Sequence, residues 1–198
     1  EYFEKSLAME EKIGDSTAIK QAVNNLGAIY DYLKNYPKAI ELYQKAFDLN
    51  SIQNDKREMA TNLHNIAVAF LNAEEYHNRS LDIREEIGDI NGIALAYFNY
   101  GELLRKNDRL HEAKAYYENG LQIAEENELL KVKQQIYAAF SAMYEQQNNF
   151  ELANEYLYKF IAVKDSILNR ENSEILAEVE TKYQTEKKEK DLLESRAI

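Results

Sequence analysis

The sequence repeats itself at intervals of 34 to 40 residues. Residues 1–15 and 75–89 share Glu-Tyr at the start, Ser-Leu in the middle and Ile-Gly-Asp at the end. A second recurring segment is apolar with a small residue at its centre, and successive small residues lie 40, 34 and 40 positions apart: Gly27, Ala67, Gly101 and Ser141. A period of this size is typical of stacked repeats, in which each unit buries its apolar face against its neighbours. The sequence therefore predicts a repeat array, and such arrays usually bind other chains.

The composition favours helices and restricts the classes of partner. The 198 residues include one proline and six glycines, and 45% are hydrophobic, which suits a continuous helical core better than a β-sheet. The net charge of −11 would repel phosphate backbones and anionic lipids, so we expect neither nucleic acid nor direct membrane contact. The absence of cysteine excludes disulfides and thiolate metal sites. We find no run of about 18 apolar residues, so no membrane-spanning helix is predicted.

Each repeat has the pattern of two antiparallel helices. In the first complete copy, apolar residues recur every three or four positions and would form one helix face: Ile19, Val23, Leu26, Ile29, Tyr30 and Leu33. A second helix is predicted to begin near Pro37, because proline is tolerated in a first helical turn. Gly14 and Gly88 would end helices in a left-handed conformation, and Ser16 or Asp89 would cap the helices that follow.

The order of small and large residues in these helix pairs resembles the tetratricopeptide repeat family. The family pattern is Leu-Gly and an aromatic residue on the first helix, then Ala, an aromatic residue and Ala on the second. It is found here as Leu26, Gly27, Tyr30, Ala39, Tyr43 and Ala46, as Tyr100, Gly101, Leu104, Ala113, Tyr117 and Gly120, and more weakly as Phe140, Ser141, Tyr144, Ala153, Leu157 and Phe160. The resemblance implies an all-α fold: a right-handed superhelical solenoid of antiparallel helix pairs in repeats of about 40 residues, with an extra C-terminal helix.

The resemblance covers residues 1–168. We divide this region into a half repeat and four repeats, at 1–14, 16–54, 56–88, 90–127 and 129–168. Residues 169–198 are predicted to form a charged connector or capping helix. The 40-residue pitch resembles the longer-helix variety of the family, which is seen in bacterial sensors and regulators.

The single 34-residue step has two interpretations. About six residues are missing between Asn72 and Ala73, where the turn between two helices belongs. A true deletion would fuse the two helices into one rod from about Glu58 to Glu86. Alternatively, a loop is absent from the sequence record, and the helix pair is an ordinary one. We expect the second case, with a chain break at this position, because a fused rod would leave the apolar faces of two repeats without partners.

The predicted binding surface lies on the first helices of the repeats. One turn before the large residue, successive copies carry an asparagine, at Asn25, Asn65 and Asn99, and then Ala139 in the last copy. A carboxamide both donates and accepts hydrogen bonds, so a ladder of asparagines can pair with the backbone of an extended peptide. The resemblance implies this role for the three asparagines. The alternative is that each one hydrogen-bonds a neighbouring helix as part of the scaffold.

Further candidates surround this ladder on the same helices. They are mixed polar and aromatic, as expected of a recognition groove and equally of an ordinary helix surface: Asn24, Tyr32, His64, Phe98, Glu102 and Arg105.

The sequence offers little support for catalysis. His64, His77 and His111 lie in different repeats, and none forms a close-spaced metal pair with a carboxylate. The many glutamates alternate with lysine or arginine at helical spacing, which is typical of a solvated helix face. We therefore predict no enzyme activity, no metal and no cofactor for this chain.

The C-terminal stretch departs from the repeat pattern. It resembles a segment that follows the last repeat in Bacteroidetes-type sensor proteins, with a Lys-Asp-Ser-Ile turn at residues 164–167 and a charged helix at residues 181–189. In that group the helix leads towards a membrane span and a histidine kinase or DNA-binding output domain. The resemblance implies a sensor region of a two-component type signalling protein, which would pass ligand binding along the C-terminal helix. A homodimer through this helix is a further expectation.

Two functions therefore stay open. The first is a protein- or peptide-sensing module of a signalling protein, and the second is a scaffold for assembling protein complexes. In the first case the region would be extracytoplasmic in a membrane-anchored bacterial sensor, and a cytoplasmic location is the alternative. The identity of the partner is not legible in the sequence.

Overall fold

A computed structural model shows the chain as a succession of helices. It describes the backbone of residues 2–69 and 74–196, without the side chains of residues 2–4, 6, 11 and 189–196. Within these ranges the protein has nine α-helices and no strand. In chain order, α1 to α9 are Tyr2–Ile13, Ser16–Tyr32, Tyr36–Ile52, Lys56–Ala69, Glu74–Glu86, Ile90–Lys106, Leu110–Glu126, Leu130–Gln146 and Phe150–Arg196. Consecutive helices pack against each other, and α6 also contacts α4 and α8. The predicted all-α solenoid of antiparallel helix pairs is confirmed.

The described connections between helices are short and share one backbone conformation. A residue with positive φ follows α1, α2, α3, α5, α6, α7 and α8, and besides Gly14 and Gly88 these residues are Lys34, Asn54, Asp108, Glu128 and Asn148. The left-handed residue turns the chain so that the next amide reaches back to the helix, as in the 2.8 Å bond from Asn35 N to Tyr30 O. The predicted helix ends at the two glycines are confirmed.

Among the described residues, capping side chains fix the starts of five helices: α2, α3, α4, α6 and α9. Asp89 accepts a hydrogen bond from Gly92 N at 3.1 Å, as expected, and its other oxygen accepts from Arg84 Nη1 at 2.8 Å. The prediction of Ser16 as a cap was wrong. Asp15 caps α2 instead, accepting from Thr17 N at 2.9 Å, and Ser16 is the first helical residue. The longer reach of an aspartate and its negative charge at a helix N-terminus favour it in this role.

Small residues on the first helices make room for large residues on the second. A Cβ atom added to Gly27 would lie 2.8 Å from the ring of Tyr43, and one added to Gly101 would lie 2.6 Å from the ring of Tyr117. In the last repeat, Ser141 donates a hydrogen bond to the carbonyl of Ala153 at 2.9 Å. The small-residue positions therefore hold the two helices of each pair close together.

The fused rod considered for residues 58–86 does not form, because α4 and α5 fold back on each other. Ser80 Oγ donates to Ala60 O at 2.7 Å. In one straight helix, two residues twenty positions apart would be separated by about 30 Å. The expected chain break between Asn72 and Ala73 falls on residues 70–73, which lie outside the described residues.

The last helix is longer than expected. The predicted turn at residues 164–167 was wrong, because α9 runs without interruption from Phe150 to Arg196. Ser166 Oγ donates to Ala162 O at 2.9 Å, so the serine hydroxyl is hydrogen-bonded within the helix. From Leu168 to Lys188 every side chain is exposed. Glu171 still forms an ion pair with Lys131 on α8, and Glu174 lines a cavity with the start of α8, so α9 projects beyond the helix pairs after Glu174. No stretch of the described helices combines the length and the hydrophobicity needed to cross a lipid bilayer.

Candidate peptide-binding groove

A groove of about 610 Å³ lies across the first helices of three repeats. It is lined by the C-terminal end of α2, the start of α3, and the adjoining faces of α4 and α6. The lining side chains are Asp31, Tyr32, Lys34, Tyr36, His64, Asn65, Val68, Phe98, Asn99, Glu102, Leu103 and Lys106. Six of the candidates from the sequence therefore meet in one place: Tyr32, His64, Asn65, Phe98, Asn99 and Glu102.

A second cavity of about 270 Å³ extends this surface towards the last repeat. It lies between α6 and α8 and shares Phe98 and Glu102 with the groove. Arg105 and Ala139 line it as well. The two cavities together form one surface along α4, α6 and α8, and in its last part an alanine takes the place of the asparagine.

Asn65 and Asn99 present unpaired carboxamides to the groove. Both side chains are half-buried, and neither makes a hydrogen bond within residues 2–69 and 74–196. A partly buried amide that its own scaffold leaves unpaired can bond to a ligand. Asn25, the third member of the ladder, is exposed and does not line the cavity.

Asn24 belongs to the scaffold. Its Oδ1 accepts a hydrogen bond from Asn62 Nδ2 at 3.1 Å, and Asn62 Oδ1 accepts one from Asn50 Nδ2 at 2.8 Å. Asn50 and Asn62 are buried, so this chain of carboxamides joins α3, α4 and α2 in the interior. Sequence reasoning missed both of them. The available signal was an asparagine on the apolar face of each helix.

Glu102 and Arg105 form a fixed ion pair at the junction of the two cavities. Arg105 donates from Nε and Nη2 to the two oxygens of Glu102, at 2.9 and 3.0 Å. The Tyr117 hydroxyl also donates to Glu102. Partial burial opposes ionisation of Glu102, but the bonds from Arg105 and Tyr117 outweigh it and lower its pKa. Burial and the bond to Glu102 raise the pKa of Tyr117. The groove therefore carries a charged pair whose geometry is set by the core.

His64 contributes a neutral imidazole to the groove wall. Burial lowers its pKa to about 4, with smaller contributions from His77 and Arg84. Its Nδ1 atom is buried without a hydrogen-bond partner among the described residues. At neutral pH this ring carries no charge, so it adds an apolar and hydrogen-bonding surface to the groove.

No side-chain group in the described ranges is arranged to hold a metal ion. A set of three or more His, Asp or Glu side chains with suitable proximity is absent there. The chemistry that the groove does offer is that of binding: unpaired amides, aromatic rings and one rigid ion pair.

Two segments of the chain match models of the tetratricopeptide repeat, residues 21–51 and residues 94–127. Together with the fold, they support a tetratricopeptide repeat protein. The first match spans most of α2 and most of α3, and the second spans most of α6 and all of α7. His64 and Asn65 lie between them, on α4. No curated protein matches the chain significantly.

Two solved structures resemble this chain in fold. The crystal structure of BtubC (BKLC) from P. vanneervenii superimposes with a TM-score of 0.55 at 19% identity, over 77% of this chain and 66% of that one. Aspartyl phosphate phosphatase F from Bacillus subtilis superimposes with a TM-score of 0.51 at 17% identity, over 75% of this chain and 50% of that one. The chain thus spans two thirds of the first and half of the second. At these identities the likeness concerns the fold.

Proposed function

We propose that this chain is a protein- or peptide-binding tetratricopeptide module whose groove holds an extended peptide segment. The observation that carries the proposal is the pair of unpaired carboxamides of Asn65 and Asn99 within a groove of about 610 Å³. Each carboxamide can accept a backbone N–H and donate to a backbone carbonyl. Such bonds hold the main chain of a peptide irrespective of its side chains.

Aromatic side chains beside the asparagines supply the apolar part of the interaction. Tyr32 is 87% exposed at one end of the groove, and Phe98 is half-buried where the groove meets the second cavity. Aromatic residues contribute large contact areas and are enriched at the centres of protein interfaces. We propose no catalytic step, because tetratricopeptide modules generally act by binding.

Peptide selection followed by substitution of the two asparagines tests this function. A phage-displayed library of random peptides is selected on the whole chain, and the enriched peptides are measured by fluorescence polarisation. Asn65→Ala and Asn99→Ala each remove one or two hydrogen bonds, so each variant should bind about 3- to 10-fold more weakly. Asn119→Ala on α7 is the matched control, because Asn119 is exposed and lies outside the groove.

Two outcomes of this experiment would contradict the proposed function. If no peptide is enriched, or if enriched peptides bind both asparagine variants as tightly as the unchanged chain, the groove does not act through these amides. Circular dichroism of each variant must show unchanged helicity. Added salt screens the attraction between charged groups. It should therefore weaken the binding of basic or acidic peptides more than the binding of neutral peptides.

We further propose that the module is the sensor part of a bacterial signalling protein and that α9 carries the effect of binding to an output domain. The projection of α9 beyond the helix pairs supports this role. A scaffold for complex assembly is the alternative. Hydrogen exchange of α9 separates the two: a selected peptide should change the exchange of residues 168–188 in a sensor and leave it unchanged in a scaffold.

A further inference from the structure

One face of α9 carries a long exposed apolar stripe. Among the side chains described on this helix, from Phe150 to Lys188, nine large apolar ones are 42% to 73% exposed. They are Phe150, Leu157, Tyr158, Ile161, Leu168, Ile175, Leu176, Val179 and Tyr183. At 3.6 residues per turn they fall within a sector about 100° wide and about 50 Å long. We call this face the α9 stripe. An exposed apolar stripe of this length is typical of an interaction site.

The first half of the α9 stripe is a helix-packing face with no helix on it. Leu157 stands in the last repeat where Tyr117 stands in the previous one, 40 residues earlier. Tyr117 is fully buried because α8 follows α7, whereas Leu157 is 42% exposed. A helix lying antiparallel to α9 would cover this half in the way that α8 covers α7.

The second half of the stripe has the length and polarity of such a helix. It begins at Leu168, about two turns before Glu174, the last α9 residue that lines a cavity with the start of α8, and its apolar residues continue to Tyr183. That is about sixteen residues, and α8 itself has 17. We propose that two copies of this chain pair through α9 in antiparallel orientation, so that the projecting half of each copy covers the first half of the other.

A two-fold axis at Leu168 places apolar residues of one copy opposite apolar residues of the second copy. Residues equally distant from Leu168 on either side then come opposite each other. Ile161 of one copy faces Ile175 of the second copy, and Leu157 faces Val179. The two apolar surfaces therefore match over more than three helical turns on each side of the axis, which favours burial of both.

The polar residues of the stripe match in the same register. Asp165 interrupts the apolar face of one copy. Asn172 of the second copy lies one residue beyond the equidistant position and on the same edge of the stripe, so its amide can donate to the carboxylate. Glu171, the equidistant residue, lies about 120° away around the helix and outside the stripe. Further out, Glu151 comes within one turn of Lys187 of the second copy. In a parallel pair, Asp165 would face Asp165 of the second copy, and two carboxylates in one interface repel each other. The antiparallel arrangement is therefore favoured.

Single engineered cysteines test both the pairing and its direction, because the chain has no cysteine of its own. Ile161→Cys and Ile175→Cys chains are mixed and oxidised. The mixture should give a disulfide-linked dimer, and each variant alone should not. Two copies of residue 161 would be about 21 Å apart in the antiparallel pair, too far for a disulfide. A linked dimer from Ile161→Cys alone would overturn the proposal in favour of parallel pairing.

Analytical ultracentrifugation of the unchanged chain tests self-association itself. Dimers should form, and Leu168→Glu should weaken the association at least about tenfold, because it places two carboxylates at the axis. Ile52→Glu is the matched control, since Ile52 is also exposed but lies on α3. Leu168 is exposed in the single chain, so circular dichroism should show both variants folded. A chain that stays monomeric at all concentrations, or an association that Leu168→Glu does not weaken, would overturn the proposal.

Discussion

His77 stacks on Tyr100, with ring centroids 4.4 Å apart and ring planes 18° apart. The edges of Tyr116 and Tyr97 close the site at 5.4 and 5.8 Å. His77 is fully buried, and neither ring nitrogen has a hydrogen-bond partner in the part of the chain that the structure describes. Burial lowers its pKa to about 4. The core thus contains a histidine that is stable there only in its neutral form.

The first prediction concerns pH. His64 and His77 have pKa values of about 4 in the folded chain against 6.5 for an ordinary histidine, so the unfolded chain binds more protons between these values. The free energy of unfolding should be constant between about pH 7 and pH 9 and fall as the pH drops towards 4, by on the order of 2 to 3 kcal/mol per histidine. Urea denaturation at a series of pH values measures it.

Substitutions identify the source of that pH dependence. His77→Phe keeps the stacked ring and removes the titrating group, so the fall in stability should become shallower. His111→Gln is the control, because His111 is exposed and should leave the curve unchanged. An equal slope in the unchanged chain and in His77→Phe would contradict the assignment.

The second prediction concerns the close approach of Gly101 and Tyr117. A methyl group at Gly101 would lie 2.6 Å from the tyrosine ring, so Gly101→Ala should destabilise the chain by about 1 to 3 kcal/mol despite the better helix propensity of alanine. The last repeat combines Ser141 with Leu157 at the same two positions. Tyr117→Leu should therefore relieve part of the loss. A double-mutant cycle measured by thermal unfolding checks this, and strictly additive effects would refute it.

The third prediction concerns the buried asparagines. Asn62→Leu leaves the Asn50 amide without its acceptor and Asn24 without its donor, which should lower the free energy of unfolding by about 2 to 3 kcal/mol. Asn25→Ala, one residue from Asn24 but exposed, should change it by less than about 0.5 kcal/mol. Chemical denaturation compares the two. Similar values for both variants would show that the carboxamide chain contributes nothing specific.

The fourth prediction concerns a turn. Glu128 has a φ of 55° between α7 and α8, a conformation that is unfavourable for residues with a Cβ atom. Glu128→Gly should stabilise the chain by about 0.5 to 1 kcal/mol. Glu126→Gly, two residues earlier and still helical, should destabilise it by a similar amount. If both glycines destabilise in denaturation experiments, strain at Glu128 is not the controlling factor.

The sequence predicted several site residues that the structure brings together. It could not show which of them line the groove and which belong to the scaffold. Asn62 and Asn65 lie one turn apart on α4, yet one is buried in a carboxamide chain and the other lines the groove. Asn24 and Asn25 are consecutive, and only Asn24 is bonded to a neighbouring helix. The same residue type serves the scaffold or the groove according to which helix lies beside it, and that information is not local.

The sequence by itself determined the helix pairs, the small residues between paired helices and the glycine-ended turns, because these depend on local periodicity and on spacing between copies. Tertiary structure decided the rest. The spacing of Ala60 and Ser80 did not reveal whether α4 and α5 fuse or fold back, and their hydrogen bond settled it. The sequence did carry a signal that α9 continues past Leu168, because no glycine or proline follows Gly120, but the resemblance at residues 164–167 predicted a turn instead. The groove exists only where α2, α4 and α6 are stacked, since no single repeat contains it.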